Sequence, residues 1–404
     1  MFSRTRLALS ATVLALLSAQ PSIRAQAARG AAQATNSEAS VLAKGWNAVA
    51  AGNAAEAERL SDSLLKASPG HHHALALKMA ARLGARTPVG TLSALDAYES
   101  WLGHVNQRED VFLLEPVAMQ IIDTLAQSQD RAVRARALEI KAALGDTNAA
   151  TQLRTTGDEP GSGALMQDAA LARQQDPGAI ERLTRRVNEP GTRDVSAAID
   201  ALGTAKVATA VPAILAALDP RRPLPTRMAA ARALGRLGSV EAIPRLKQAL
   251  NDPDPPVRIV AAVSLSTLGD TSGDEIVRSI EKSPVGDFRL LAVEAHAATD
   301  PAGAWVEVAT GVLQDPDPLV RLRAAELLLR HAANPGPAFD VLRQALSDDN
   351  PAMQQAAADQ LDRIPATTLD RDVPTLRKLL RSRSPRTQIE SAAAFLRIAG
   401  TLRQ

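Results

Sequence analysis

The stretch from Arg227 to Gly238 reads RMAAARALGRLG, and the stretch from Arg258 to Gly269 reads RIVAAVSLSTLG. A pattern that returns in phase constrains a fold more than any single motif, because every copy must be one supersecondary unit stacked on its neighbours. Further copies begin at Arg289 (RLLAVEAHAA), Arg321 (RLRAAELLLR), Gln354 (QQAAADQLDRI) and Gln388 (QIESAAAFLRIA), each head residue following the last at a nearly constant interval. Upstream, Val195 opens VSAAIDALGTA at the same interval, and Arg134 opens RARALEIKAALG far enough before it to leave room for two units. The trace of the missing unit is GAIERLTRRVNE at 178–189, which matches EAIPRLKQALND at 241–252, two repeats on.

Each unit therefore holds two helices, one like AIPRLKQAL and one that starts near the Arg. The turn between them carries DPDP at Asp252 to Pro255 and again at Asp315 to Pro318. Proline suits a first helical turn and Asp caps the free amides there, so these residues punctuate the chain. At least seven such pairs are expected between Pro116 and the C-terminus, ending in a lone capping helix after Gln388.

Composition agrees with helices packed at close quarters, since 46% of the residues are hydrophobic and only 2% aromatic. The apolar mass is chiefly Ala, Leu and Val; alanine and leucine are strong helix formers. The absence of cysteine excludes disulfides, thiolate metal sites, a catalytic thiol and a lipidated N-terminal Cys. The first residues read as a secretory leader, with Arg4 and Arg6, an apolar run from Leu7 to Ala19, and small residues around Ala25 and Ala27. That run, from Leu7 to Ala19, is shorter than a membrane-spanning helix, which needs about 20 apolar residues. Cleavage within 1–27 would remove three arginines and take the formal charge from +2 to about −1, so nucleic-acid binding is not expected. The location read from this is periplasmic or secreted.

The recurring R-x-x-A-A-x-A-L-G-x-L-G closely resembles HEAT-like repeats of the phycobilin-lyase type, over roughly 116–404. The resemblance implies an all-α, right-handed α-solenoid of stacked helical hairpins. In such families the Arg at the head of the second helix is a structural ladder residue, here Arg134, Arg227, Arg258, Arg289 and Arg321, pairing with inter-helix aspartates such as Asp254, Asp287 and Asp317. The preceding stretch, 38–115, resembles tetratricopeptide repeats: Gly45, Gly52, Ala57 and Pro69 fall at relative positions 8, 15, 20 and 32 of that 34-residue pattern, with the aromatic displaced to Trp46. Residues 28–37 read as a flexible mature N-terminus.

No HExxH, GxSxG, Walker or dinucleotide fingerprint occurs in the sequence, and no catalytic, cofactor or metal residue is nominated. His71, His72 and His73 are consecutive, whereas helical ligands to one ion stand three or four residues apart. Trp46, Trp101 and Trp305 are read as packed side chains. Counting from the head residue, position five of each repeated helix holds Glu139, Asp200, Arg232, Val263, Glu294, Glu326 and Asp359, five of the seven acidic. By the resemblance this helix lines the concave face, and a self-repelling carboxylate row would welcome a basic segment. Glu139, Asp200, Glu294, Glu326 and Asp359 are the candidate partner-binding residues, and reversing the last three to Lys is expected to spare the fold. The function expected is an exported, non-enzymatic scaffold that binds a protein or peptide. The alternative, implied by the family alone, is a bilin-lyase-like enzyme or chromophore-binding protein.

Overall fold

The computed structural model describes residues 36–105, 109–155, 164–189, 194–299, 303, 305–332 and 335–403. The leader at 1–27 and nearly all of the segment 28–37 lie outside the described residues. Every regular element among the described residues is helical, and none of them is a strand. Contacts divide the chain into a unit ending at Thr124 and a second from Leu125 to Thr401. The sequence pattern placed this boundary at Pro116, which instead lies inside a helix of the first unit.

The first unit contains α1 (Asn36–Ala50), α2 (Ala54–Ala67), α3 (His72–Leu83), α4 (Pro88–Leu102) and α5 (Val111–Leu125). Gly52 turns the chain between α1 and α2 with φ +75°, and Asn53 then caps α2 by accepting from the Glu56 amide at 3.2 Å. Gly45 sits against α3 so closely that a Cβ there would stand 2.3 Å from Leu77 Cδ2. Ala57, Leu77 and Ala81 form the enclosed centre of this packing.

The second unit opens with α6 (Arg131–Ala143) and continues, among the described residues, as eight successive pairs. These are α7 (Thr147–Thr155) with α8 (Ala164–Arg173), α9 (Pro177–Asn188) with α10 (Val195–Thr204), α11 (Val211–Ala216) with α12 (Leu224–Leu237), and α13 (Ile243–Ala249) with α14 (Pro255–Thr267). Then come α15 (Asp274–Glu281) with α16 (Gly286–Thr299), α17 (Trp305–Val312) with α18 (Pro318–His331), and α19 (Ala338–Leu346) with α20 (Pro351–Ala358). A short α21 (Ala366–Leu369) precedes the last pair, α22 (Val373–Leu379) and α23 (Pro385–Leu402). The lone terminal helix expected from the sequence is thus the second member of a full unit. Its first member is short and proline-led, and the repeated motif does not register it.

The second helices stack on one another in order, α6 on α8 and so on through α20. Small residues at the seams allow the approach. Ala230, Ala231, Ala261, Ala262, Ala324 and Ala325 are wholly enclosed, and a Cβ on Gly203 would meet Ala233 Cβ at 2.8 Å. Filling such a seam with a larger side chain costs about 1–3 kcal/mol.

Five of these helices end on a left-handed residue at the same place in the repeat: Gly145, Gln175, Lys206, Gly238 and Gly269, with φ between +53° and +94°. Glycine adopts that conformation freely, whereas an L side chain pays about 1–2 kcal/mol. Gln175 is partly compensated, because its Nε2 donates to the Ala205 carbonyl of the next unit at 2.8 Å. Lys206 is exposed, and among the described residues no such bond repays its backbone. Lys206→Gly is therefore expected to stabilise the protein by roughly 0.5–1 kcal/mol, while Gln175→Gly gains less. Urea titration of both variants checks this, and equal or negative changes at Lys206 would contradict it.

Candidate functional site

The head-of-helix arginines come first, because they fix the turns that aim the inner helices. Arg227 donates to both Asp252 oxygens, Nε at 3.0 Å and Nη2 at 2.9 Å, and Nη2 also reaches Asp254 at 2.5 Å. Arg289 Nη2 donates to Asp315 at 2.8 Å. These two are ladder pairs of the expected kind, one of them to an expected partner. A second contact recurs more widely in the row. Arg134, Arg258, Arg289 and Arg321 each donate from Nη1 to the carbonyl six residues upstream, at Ser128, Asp252, Ser283 and Asp315. The guanidinium so placed staples the turn's own backbone. Asp317 is used elsewhere, as the cap of α18, accepting from the Leu319 amide at 2.8 Å, and Asp287 accepts from Arg323 at 2.6 Å.

In the second unit the first and last of the stacked second helices meet. Arg136 on α6 donates to Glu390 on α23 through Nε at 2.7 Å and Nη2 at 2.8 Å, so the stacked row lies on the inside of the curve. All five candidate acids belong to this inner row, and the structure gives them arginine neighbours. Glu139 accepts from Arg136 at 2.9 Å and from Arg173 at 2.5 and 2.6 Å. Asp200 accepts from Arg232 at 3.1 Å and lies 3.9 Å from Arg236. Glu326, 8% exposed at its side chain, pairs with Arg330 and with Arg363. Asp359 stands 3.6 Å from Arg386, and Glu294 lies within the fields of Arg236 and Arg330.

The row is therefore not a bare carboxylate stripe. One turn beyond position five, position nine holds Arg236, Arg330, Arg363 and Arg397 on four of these helices or the turns that end them. The same 3.6-residue period that picks out the acids picks out these cations, so the signal was present in the sequence and lay one turn further along. Burial is the main cause that lowers the pKa of Arg236 and Arg330, and the neighbouring charges of Arg232 and Arg363 respectively add to it. Glu139 and Glu390 diverge although both are buried. Burial pushes each carboxyl upward, but Glu139 faces the two guanidiniums of Arg173 and Arg136 and ends below its ordinary range. Glu390 has Arg136 together with the charges of Asp362 and Asp359, and ends above it.

Elsewhere, Trp101 and Trp305 are packed, at 4% and 2% exposure. His71 caps α3, and His72 Nε2 contacts Asp110 at 2.7 Å. Among the described residues no three potential ligands stand together as a metal site, and no helix is long and apolar enough to cross a membrane.

A family model for HEAT repeats matches residues 195–266, 211–297 and 306–397. Among solved structures the chain is similar to the complex of CpcE and CpcF of phycocyanin lyase from Nostoc sp. PCC7120, at 21% identity over 54% of this chain and 94% of that chain, with a TM-score of 0.33. It is also similar to human deoxyhypusine hydroxylase in complex with glycerol, at 19% identity over 64% of this chain and 99% of that one, again with a TM-score of 0.33. Among curated proteins none matches.

Proposed function

Starting from HEAT repeats that occupy residues 195–297 and 306–397, we propose that this chain is an exported scaffold that holds a protein or peptide partner against its inner helices. One observation carries the reading. The seams between units are closed by Ala, Leu and Val, yet the inner face carries two rows of charged side chains that the apolar core does not use. Several of these remain open to solvent: Asp200 is 35% exposed at its side chain, Arg236 48% and Arg363 54%.

Because the acids are already met by arginines of the same chain, a purely basic segment would have to compete with Arg232, Arg330 and Arg363 for them. A segment bearing both signs of charge exchanges with both rows and leaves no ion unpaired, which matters where charges lose water on binding. The partner is thus a polar segment of mixed charge. The tetratricopeptide-like reading of residues 38–115 is part of the same proposal, supported by the seating of Gly45 on Leu77 and the enclosure of Ala57.

The test is site-specific photocrosslinking in the producing cell. Probes at Arg236 and Thr267 on the inner helices are expected to capture one defined partner, and probes at Glu181 and Arg185 on α9 are not. Capture from α9 alone would overturn the reading.

A further inference from the structure

Arg136 and Glu390 are 254 positions apart in sequence, and the bridge between them is built in layers. Its centre is a forked, two-bond contact in which the planar guanidinium meets both oxygens of one carboxylate, the geometry that gives such pairs their strength and direction. Arg136 Nη1 turns to Glu139 on its own helix, and Nη2 also lies 3.5 Å from Asp362, beyond the end of α20. Arg173 holds Glu139 from the far side. On the last helix, Arg397 reaches back to the carbonyls of Leu361, Asp362 and Ile364, which fixes the segment bearing Asp362. The side chains of Glu139 and Glu390 are only 10% and 9% exposed, and Arg136 is 22% exposed. One arginine thus joins α6, α23 and the turn after α20, elements from the two ends of the repeat array.

Nothing in the repeat pattern requires this. Each unit is held by its neighbours, and a stack of such units is complete as an open array. We propose that Arg136 is the pin of a clasp: its bond to Glu390 closes the array on itself, and its release separates the first and last units and widens the inner face. The closure stands on the geometry alone. Its use, to admit a partner to the inner rows, rests on the function proposed above.

The chain's lack of cysteine makes the test direct, because two cysteines introduced for spin labels are the only ones present. Labels at Leu144, just after α6, and at Arg383, just before α23, report the gap between the ends. The parent protein is expected to give one narrow distance distribution. Glu390→Gln and Arg136→Gln are each expected to shift it outward by more than a helix diameter, about 10 Å, with helicity by far-UV circular dichroism retained. The double variant is expected to open no further than either single one, because both remove the same contact. Arg136→Lys, which keeps the charge but loses the fork, is expected to fall between. Lys378→Gln, away from the bridge, is the labelled control and keeps the parent distribution. If Arg136→Gln loses helicity, the milder Glu390→Gln carries the test. A parent distribution that is already broad, or one that stays unchanged in folded Glu390→Gln, overturns the clasp. Neither result bears on crosslinking at Arg236 and Thr267, so the proposed function can fail or stand separately.

Discussion

Arg227→Met lowers the stability of the second unit by about 3–5 kcal/mol, because it strands a buried carboxylate. The side chains of Arg227 and Asp252 are 4% and 2% exposed, and the two are joined by a bidentate contact. Asp252 also accepts from the Asp254 amide at 2.9 Å, so it cannot swing out to water without opening the turn. A neutral Asn in its place removes the stranded charge; adding Asp252→Asn to Arg227→Met is expected to recover part of the loss. Arg321→Met makes the sharper comparison. Arg321 occupies the same place in its repeat but donates to the carbonyls of Asp315 and Pro316, and its loss costs only about 1 kcal/mol, the worth of an ordinary hydrogen bond. Urea titrations give both numbers from the shift in midpoint at constant slope. Equal costs at the two positions would show that the ladder acts through the turn carbonyls alone.

Glu326→Lys has the second large effect, again about 3–5 kcal/mol, and runs against the expectation drawn from sequence. A carboxylate on a solvated row can be reversed at little cost. Glu326 instead lies between Arg330 and Arg363 with its side chain 8% exposed. A lysine there makes a third cation in a space that held one anion and two cations. Glu294→Lys sits on the same row, half-buried and without a direct ion pair among the described residues, and is expected to cost about 1 kcal/mol or less. Thermal melting of the two single variants separates them, and a Glu326→Lys protein that melts with the parent would mean that the pairs with Arg330 and Arg363 contribute nothing to the fold.

The contrast shows how far the sequence reaches. The repeated Arg-headed helices, the DPDP turns and the alanine seams were legible, because each is dictated by local geometry repeated in phase. The acidic row was legible too, since helical period alone puts Glu139, Asp200, Glu294, Glu326 and Asp359 at one register. What those carboxylates face was not. Arg173 answers Glu139 from 34 residues away and Arg363 answers Glu326 from 37, distances fixed by how the units stack, which no local pattern states. The Arg136 to Glu390 contact is further still beyond local reading. Arg258 and Arg321 were recognised as structural, but their carbonyl partners depend on the path of the turn backbone. Gln175 and Lys206 escaped notice for the opposite reason: the left-handed position is visible only where glycine marks it, as at Gly238 and Gly269.

An open row of repeats has two loose ends, and its units can peel away from whichever is weaker, so that partly unravelled forms are populated well below the global transition. A row whose first and last members grip each other has no such starting point. In the Arg136 and Glu390 contact this chain ties its end units together, and hydrogen exchange at α6 and α23 should then be as slow as in the middle of the row, with the whole array melting as one body.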